Sequence, residues 1–165
     1  MGKKKSTSAK DSSQTEERTV ALNKKARFNY HFLETYEAGI VLTGAEIKSV
    51  RDGGLSLVES YVRPHEGELF LIGAYIQPYK HSDDPKYNPT RRRKLLMHKR
   101  EIERLAGRVN EQGLTLVPVR VYLKKHLAKL EVALAKGKAA PDKRQSIKER
   151  EAKRSVERAM KMAKR

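Results

Sequence analysis

Between residues 36 and 51 the apolar residues change their spacing, and that change limits what the chain can build. Tyr36-Glu-Ala-Gly-Ile-Val-Leu42 ends in a β-branched apolar run, the signature of a buried strand. Gly39 interrupts the run, and a glycine inside a strand predicts a bulge or a sharp bend. Thr43 and Gly44 stop the strand. Ala45, Ile47 and Val50 then alternate with charged Glu46, Lys48 and Arg51, while Thr43 with Glu46 fits a capping box. The pattern predicts a strand that bends, stops and feeds a short helix. Glu37 and Glu46 share this segment with Lys48 and Arg51. They can form ion pairs with those cations or pose as a carboxylate pair, and both readings stay open.

The flanks supply the rest of a barrel. Residues 1–22 are rich in Lys, Ser, Thr and Gln, with few large apolar groups to offset ordering entropy, so they read as a disordered basic arm. Phe28, Tyr30 and Phe32 alternate with polar residues over 26–33, which predicts a half-buried strand whose rings either stack bases or pack a core. Asp52-Gly-Gly54 is a turn. Strands are expected at 60–63, 69–72 and 74–77, with His65-Glu-Gly-Glu68 as a hairpin loop between the first two. Residues 78–93 are polar and broken by Pro85 and Pro89. Loops of that length in small domains are often functional, and this one ends in Arg91-Arg-Arg93-Lys94. Ile102, Leu105, Ala106 and Val109 recur at helical spacing over 99–112, with Gly113 placed as the C-cap. A strand at 114–123 holds Pro118, which predicts an edge position or a bulge. Lys124-Lys-His126 is a basic turn before a last strand at 127–135. About six short strands and two or three helices give a mainly β fold: a small OB-fold-type antiparallel barrel over 23–135. Flexible basic tails flank it at 1–22 and 136–165.

Charge points to the partner. The chain carries 37 Lys and Arg against 20 Asp and Glu, a formal net charge of +17, and a polyanion such as RNA is the partner such an excess suits. No apolar run approaches the roughly 20 residues that span a bilayer, and no apolar stretch follows Lys3 to Lys5 as in a signal peptide. Cysteine is absent, which removes disulfides and thiolate chemistry and agrees with a cytoplasmic location. No phosphate loop, nucleophile elbow or zinc-protease motif occurs, so no enzyme activity, cofactor or metal is expected. His81, Asp83 and Asp84 could ligate a metal only with convergent geometry, and otherwise form a solvated loop. Residues 142–165 hold ten Lys and Arg against four acids, helix formers throughout, and an apolar stripe too thin for a core. Such a tail is expected to fray alone and become helical against a partner.

Several phrases now stand in one order: Asn23-Lys-Lys-Ala-Arg27, the segment from Glu37 to Arg51, and Asp84-Pro-Lys-Tyr-Asn-Pro-Thr-Arg-Arg-Arg-Lys-Leu-Leu-Met-His98. Gly113-Leu-Thr-Leu-Val-Pro118, Ala135-Lys-Gly-Lys138, Asp142-Lys-Arg144 and Lys148-Glu-Arg-Glu-Ala-Lys153 follow. In that order they resemble the small protein B family, the tmRNA-binding (SsrA-binding) proteins of bacteria. The resemblance covers about residues 23–153. It implies an OB-type barrel that binds the tRNA-like domain of tmRNA and delivers it to stalled ribosomes for trans-translation, elongation factor Tu being part of the delivered complex. It implies RNA-binding roles for Asn23, Glu37, Lys94 and Leu96, to which the basic residues Arg27, Lys48, Arg51 and Arg93 of the matching phrases are added. It also implies a decoding-centre tail of Lys136, Lys138, Asp142, Lys143 and Arg144, set against small-subunit rRNA, with the following helix in the empty mRNA channel. The family commonly has His before Asp-Lys-Arg, where this chain has Pro141. Two other readings compete: a generic basic RNA- or ribosome-binding protein of the same fold, and an enzyme acting on RNA.

Overall fold

The computed structural model describes residues 16–163. Nine strands and four helices occur among them: β1 Glu17–Leu22, α1 Lys24–Asn29, β2 Tyr30–Ile40, α2 Gly44–Arg51, β3 Leu55–Ser56, β4 Tyr61–His65, β5 Glu68–Ile72, β6 Tyr75–Ile76, β7 Arg93–Leu96, α3 Lys99–Gln112, β8 Thr115–Lys124, β9 Leu127–Gly137 and α4 Ala140–Ala163. The large sheet runs β1-β8-β4-β5-β7-β2-β9, and the added β8–β9 pairing closes six of these strands on themselves. Every pairing is antiparallel, so the expected mainly β barrel is what forms. Closure removes the open edges that an isolated sheet would present.

Turn chemistry sets the hairpins. Glu66 and Gly67 have φ of 49° and 76°, the left-handed pair that matches the twist of β4 and β5. Lys125 and His126 do the same between β8 and β9, at φ of 54° and 81°, without a glycine. Thr43 caps α2 through the anticipated box: its hydroxyl accepts from the Glu46 N–H, and the Glu46 carboxylate accepts from the Thr43 N–H at 3.0 Å. Gly113 ends α3 in the left-handed region, φ 60°. Leu69, Leu71, Leu95, Leu116, Leu130 and Leu134 fill the barrel, joined by Ile102 and Leu105 of α3 and Val50 of α2. Arg104 and Arg108 of α3 also grip Glu34 on β2, at 3.6 and 2.5 Å. A hydrogen bond from Tyr36 and then the Arg108 contact hold that carboxyl below its usual range.

Several expectations are corrected. The arm expected over 1–22 is a strand from Glu17 onward, paired with β8 and packing Val20 and Ala21 on the core; residues 1–15 lie outside the described part. The strand expected at 26–33 is a short helix followed by β2. Ala26 turns inward there against Val117 and Ala135, so Phe28 sits on the helix, while Tyr30 and Phe32 pack on that small cluster. The bulge in β2 falls between Phe32 and Glu34, not at Gly39. Gly39 lies in continuous strand, where an added Cβ would stand 3.3 Å from the Leu96 Cβ, so its role is close approach of β7. Pro118 does mark a bulge, between Pro118 and Arg120. On that side of β8, β4 pairs at Leu116 and β1 from Arg120 onward; in the gap Asn23 donates its backbone N–H to the Val119 carbonyl and its Nδ2 to the Pro118 carbonyl. Within the tail, Ala140–Ala163 is one 24-residue helix with no buried residue. Good helix formers and local pairs such as Gln145 with Glu149, 3.1 Å apart, support it.

Candidate RNA interface

The alternation of β2 and β7 decides which side chains face out. Leu95 points into the core, so Lys94 and Leu96 lie on the outer face, and Leu96 remains 55% exposed. On β2, Ala38 is buried and Glu37 faces outward. Glu37, Gly39, Leu96, Met97, His98, Glu101 and Lys129 line one open groove of about 390 Å³. The sequence-derived residues Glu37 and Leu96 thus share a site, and Lys94 lies two positions before Leu96 on the same face, paired with Glu68.

Glu37 does not pair with Lys48 or Arg51 of its own segment. Its Oε2 accepts a hydrogen bond from the Tyr122 hydroxyl and lies 3.6 Å from Lys124 Nζ; its Oε1 lies 3.8 Å from Lys129 Nζ. The Tyr122 hydrogen bond is the largest influence on its pKa, which falls below the usual carboxylate range despite partial burial, with Lys124 and Lys129 adding to the effect. Burial and the same hydrogen bond push the Tyr122 phenol up. The two lysines offset the charge of the Glu37 carboxylate, so it can stand near RNA while offering an acceptor to base amino or 2′-hydroxyl groups.

Arg93 is removed from the candidate contacts. It is fully buried, because parity on β7 turns it inward with Leu95. Its guanidinium donates to Glu46 Oε1 at 2.9 and 3.1 Å, to the Ala74 carbonyl at 2.8 Å and to the Pro89 carbonyl at 3.0 Å. Glu46, 1% exposed, takes two further bonds from Arg91, at 2.8 and 2.5 Å. Its expected pairing with Lys48 or Arg51 is therefore corrected to Arg91 and Arg93. Burial alone would raise the Glu46 pKa; hydrogen bonds from Arg91, the Thr43 N–H and Arg93 outweigh it, and the carboxyl stays ionised below its ordinary range. This cluster, with the Tyr87 hydroxyl donating to the Ile76 carbonyl at 2.9 Å, pins the long loop before β7.

The remaining candidates fall into separate groups. Lys48 Nζ lies 5.5 Å from the Tyr79 ring centroid. Arg51 accepts from Arg18 through its carbonyl at 2.6 Å, and both border a basic hollow with Lys125 and His126. Asn23 precedes α1 and Arg27 lies in its last turn, where its guanidinium stands over the Phe32 ring at 5.8 Å. Lys136 is exposed near the end of β9, and Lys138 Nζ bridges the Arg27 carbonyl at 3.0 Å to Ser146 Oγ at 3.1 Å. Asp142 sits in the first turn of α4, 3.4 Å from His31; Lys143 is half-buried and Arg144 exposed beside it. Pro141 fits that first turn, where a missing N–H costs nothing. Among the described residues no three His, Asp or Glu converge as a metal site, and Asp84 instead accepts from the Lys86 N–H at 3.0 Å. No described helix is long and apolar enough to cross a membrane.

Sequence reasoning missed Tyr122, Lys124 and Lys129. They reach Glu37 across the β2–β9 and β8–β9 pairings, and only the registers Glu37↔Glu131 and Tyr122↔Lys129 reveal it.

A family model described as "SmpB protein" matches residues 20–162. The SsrA-binding protein of Persephonella marina is 53% identical over 139 residues, covering 84% of this chain and 91% of that protein. The SsrA-binding protein of a Sulfurihydrogenibium species is 52% identical over 145 residues, covering 88% and 95%. A solved structure described as "tmRNA-SmpB: a journey to the center of the bacterial ribosome" superposes with a TM-score of 0.61 at 44% identity, covering 76% of this chain and 92% of that one. Matched along nearly all of its barrel and tail, the chain belongs to the SmpB family of SsrA-binding proteins.

Proposed function

We propose that the chain binds the tRNA-like domain of tmRNA through the barrel face around Glu37, Lys94 and Leu96 and delivers it to stalled ribosomes for trans-translation. The observation that carries this reading is the groove itself: an oriented carboxylate, an exposed leucine and flanking lysines on a rigid sheet, in a chain whose relatives are SsrA-binding proteins. The carboxylate and Leu96 supply selectivity by hydrogen bonding and apolar contact, and the surrounding cations supply affinity through phosphates. Asn23, Arg27, Lys48 and Arg51 extend the basic surface; Arg93 acts only by holding the loop. In this reading the barrel over 23–135 selects the RNA and the segment 136–165 senses the ribosome. Lys136, Lys138, Asp142, Lys143 and Arg144 meet small-subunit rRNA in the decoding centre, and the rest of α4 enters the empty mRNA channel. Elongation factor Tu accompanies the delivered complex.

The test separates the two halves. Glu37→Arg is expected to weaken tmRNA binding, whereas replacing Asp142, Lys143 and Arg144 together by Ala leaves binding intact and stops peptide tagging. Equal loss of tmRNA affinity in both variants contradicts the division. Equal affinity for tmRNA and bulk tRNA at physiological salt instead favours a general RNA-binding protein, the reading to which the net charge of +17 alone would lead.

A further inference from the structure

The carboxylate of Glu37 is the acceptor on which the proposed selectivity rests, and a carboxylate on an exposed strand is ordinarily free to rotate. Here it is held. Tyr122 is 3% exposed, and the Arg120 guanidinium lies over its ring, the guanidinium carbon 4.4 Å from the ring centroid. Arg120 is itself fixed by Glu131 at 2.6 Å and by Glu17 at 3.3 Å, so β1, β8 and β9 all constrain the ring. The Tyr122 hydroxyl donates to Glu37 Oε2, its hydrogen-bond partner among the described residues. A phenol so packed has few rotamers to lose, and its hydrogen bond to an ionised acceptor is of the strong kind.

From this geometry we infer that Tyr122 is a positioning residue for RNA recognition: it fixes the Glu37 carboxylate so that Oε1 faces the groove as an acceptor for a base amino or imino group or a ribose hydroxyl. Oε1 lies 3.8 Å from Lys129 Nζ, beyond hydrogen-bond reach, so its lone pairs remain available on that side. The inference rests on the proposed role of Glu37. The charged and titratable groups around the carboxylate are Tyr122 and Lys124 from β8, Lys129 and the cross-strand Glu131 from β9, and His98 and Glu101 along the groove. Tyr122 stays neutral across the ordinary pH range because its phenol is pushed up, so it donates throughout. Glu37 remains the acceptor down to a pH below the usual carboxylate range.

The test uses the full chain and three variants, Tyr122→Phe, Glu37→Gln and the double. Each is titrated against the tRNA-like domain of tmRNA with bulk tRNA as competitor, at several pH values between about 3 and 7, a window that spans the carboxylate range. The Glu37 carboxyl is followed in parallel by carbon NMR. Tyr122→Phe is expected to weaken selective binding about tenfold, the size of a lost hydrogen bond to a charged group. It should also raise the Glu37 titration midpoint toward the ordinary range and shift the acid limb of binding upward with it. The double variant should lose little beyond Glu37→Gln. If Glu37→Gln weakens binding and Tyr122→Phe leaves both binding and the Glu37 midpoint unchanged, the positioning role is wrong and the role of Glu37 stands. If Glu37→Gln changes nothing, the groove reading itself fails and this inference with it. The wild-type titration needs no variant: a Glu37 midpoint in the ordinary carboxylate range overturns the contact.

Discussion

Glu46→Gln is the sharpest probe of how this fold is held. Glu46 is 1% exposed and carries three loads: it closes the Thr43 capping box, and it pairs with both Arg91 and the fully buried Arg93. Glutamine keeps the size and one acceptor oxygen, so the cap, worth about 1 kcal/mol, is partly spared. The charge is lost, and an amide N–H₂ now faces a guanidinium. Removing one partner of a buried pair typically costs about 3–5 kcal/mol, because the other charge stays buried without compensation. Arg93 cannot relax outward, since its remaining donors are committed to the Ala74, Arg91 and Pro89 carbonyls. Against a total stability of about 5–15 kcal/mol, this is a large fraction. In urea, with a slope of about 2 kcal/mol per molar, the midpoint should fall by about 2 M at unchanged slope. The pH dependence gives a second arm. Glu46 has a native pKa below its unfolded value, so its contribution is complete above the unfolded value and is lost as pH falls through the native one; Glu46→Gln should lack that part of the acid dependence. A loss under about 1 kcal/mol, with wild-type acid sensitivity, refutes the account. So does simple additivity with Arg93→Met, since groups in direct contact should couple by about 1–3 kcal/mol.

Further outcomes follow from single positions. His126→Gly should stabilise the chain by roughly 1 kcal/mol in chemical denaturation, because φ of 81° strains a side chain and suits glycine. Gly54→Ala should destabilise by about 1–3 kcal/mol, since the new Cβ would lie 2.6 Å from Ser49 Oγ and 3.2 Å from the Gln77 Cβ, disturbing the 2.6 Å bond from Ser49 to the Gln77 carbonyl. Replacing Val20 and Ala21 by Asp should lower thermal stability by unpacking β1 from the core, whereas Lys24→Asp on the exposed side of α1 should not.

The sequence was most readable where the physics is local. The Thr43 and Glu46 box, the Glu66-Gly67 hairpin and the Gly113 cap each depend on residues within a few positions, and all three form. The side proposed to face RNA was readable only by resemblance to the SmpB family. Strand parity explains the main error: in Arg91-Arg-Arg93-Lys94-Leu95 the inward Leu95 fixes Arg93 as inward and Lys94 as outward, but the run reads as a loop until β7 is known to start at Arg93. The partners of Glu37 were unreadable for another reason, since Tyr122 and Lys129 meet it only after β8 and β9 fold back on β2. β1 escaped notice because six residues, half of them polar, form a strand only when β8 offers an edge.

The closing strand also governs when the barrel can exist during synthesis. β9 pairs with β2 from Tyr30↔Gly137 to Gly39↔Lys129, contacts separated by most of the domain, and with β8 beside it. Until residue 137 has emerged, β2 lacks its β9 neighbour and Leu116, Val121 and Tyr36 lack their closing wall. At about 5–20 residues per second the chain therefore spends several seconds with open apolar edges. A chain cut short before β9 cannot close the barrel, so closure is a late event in translation.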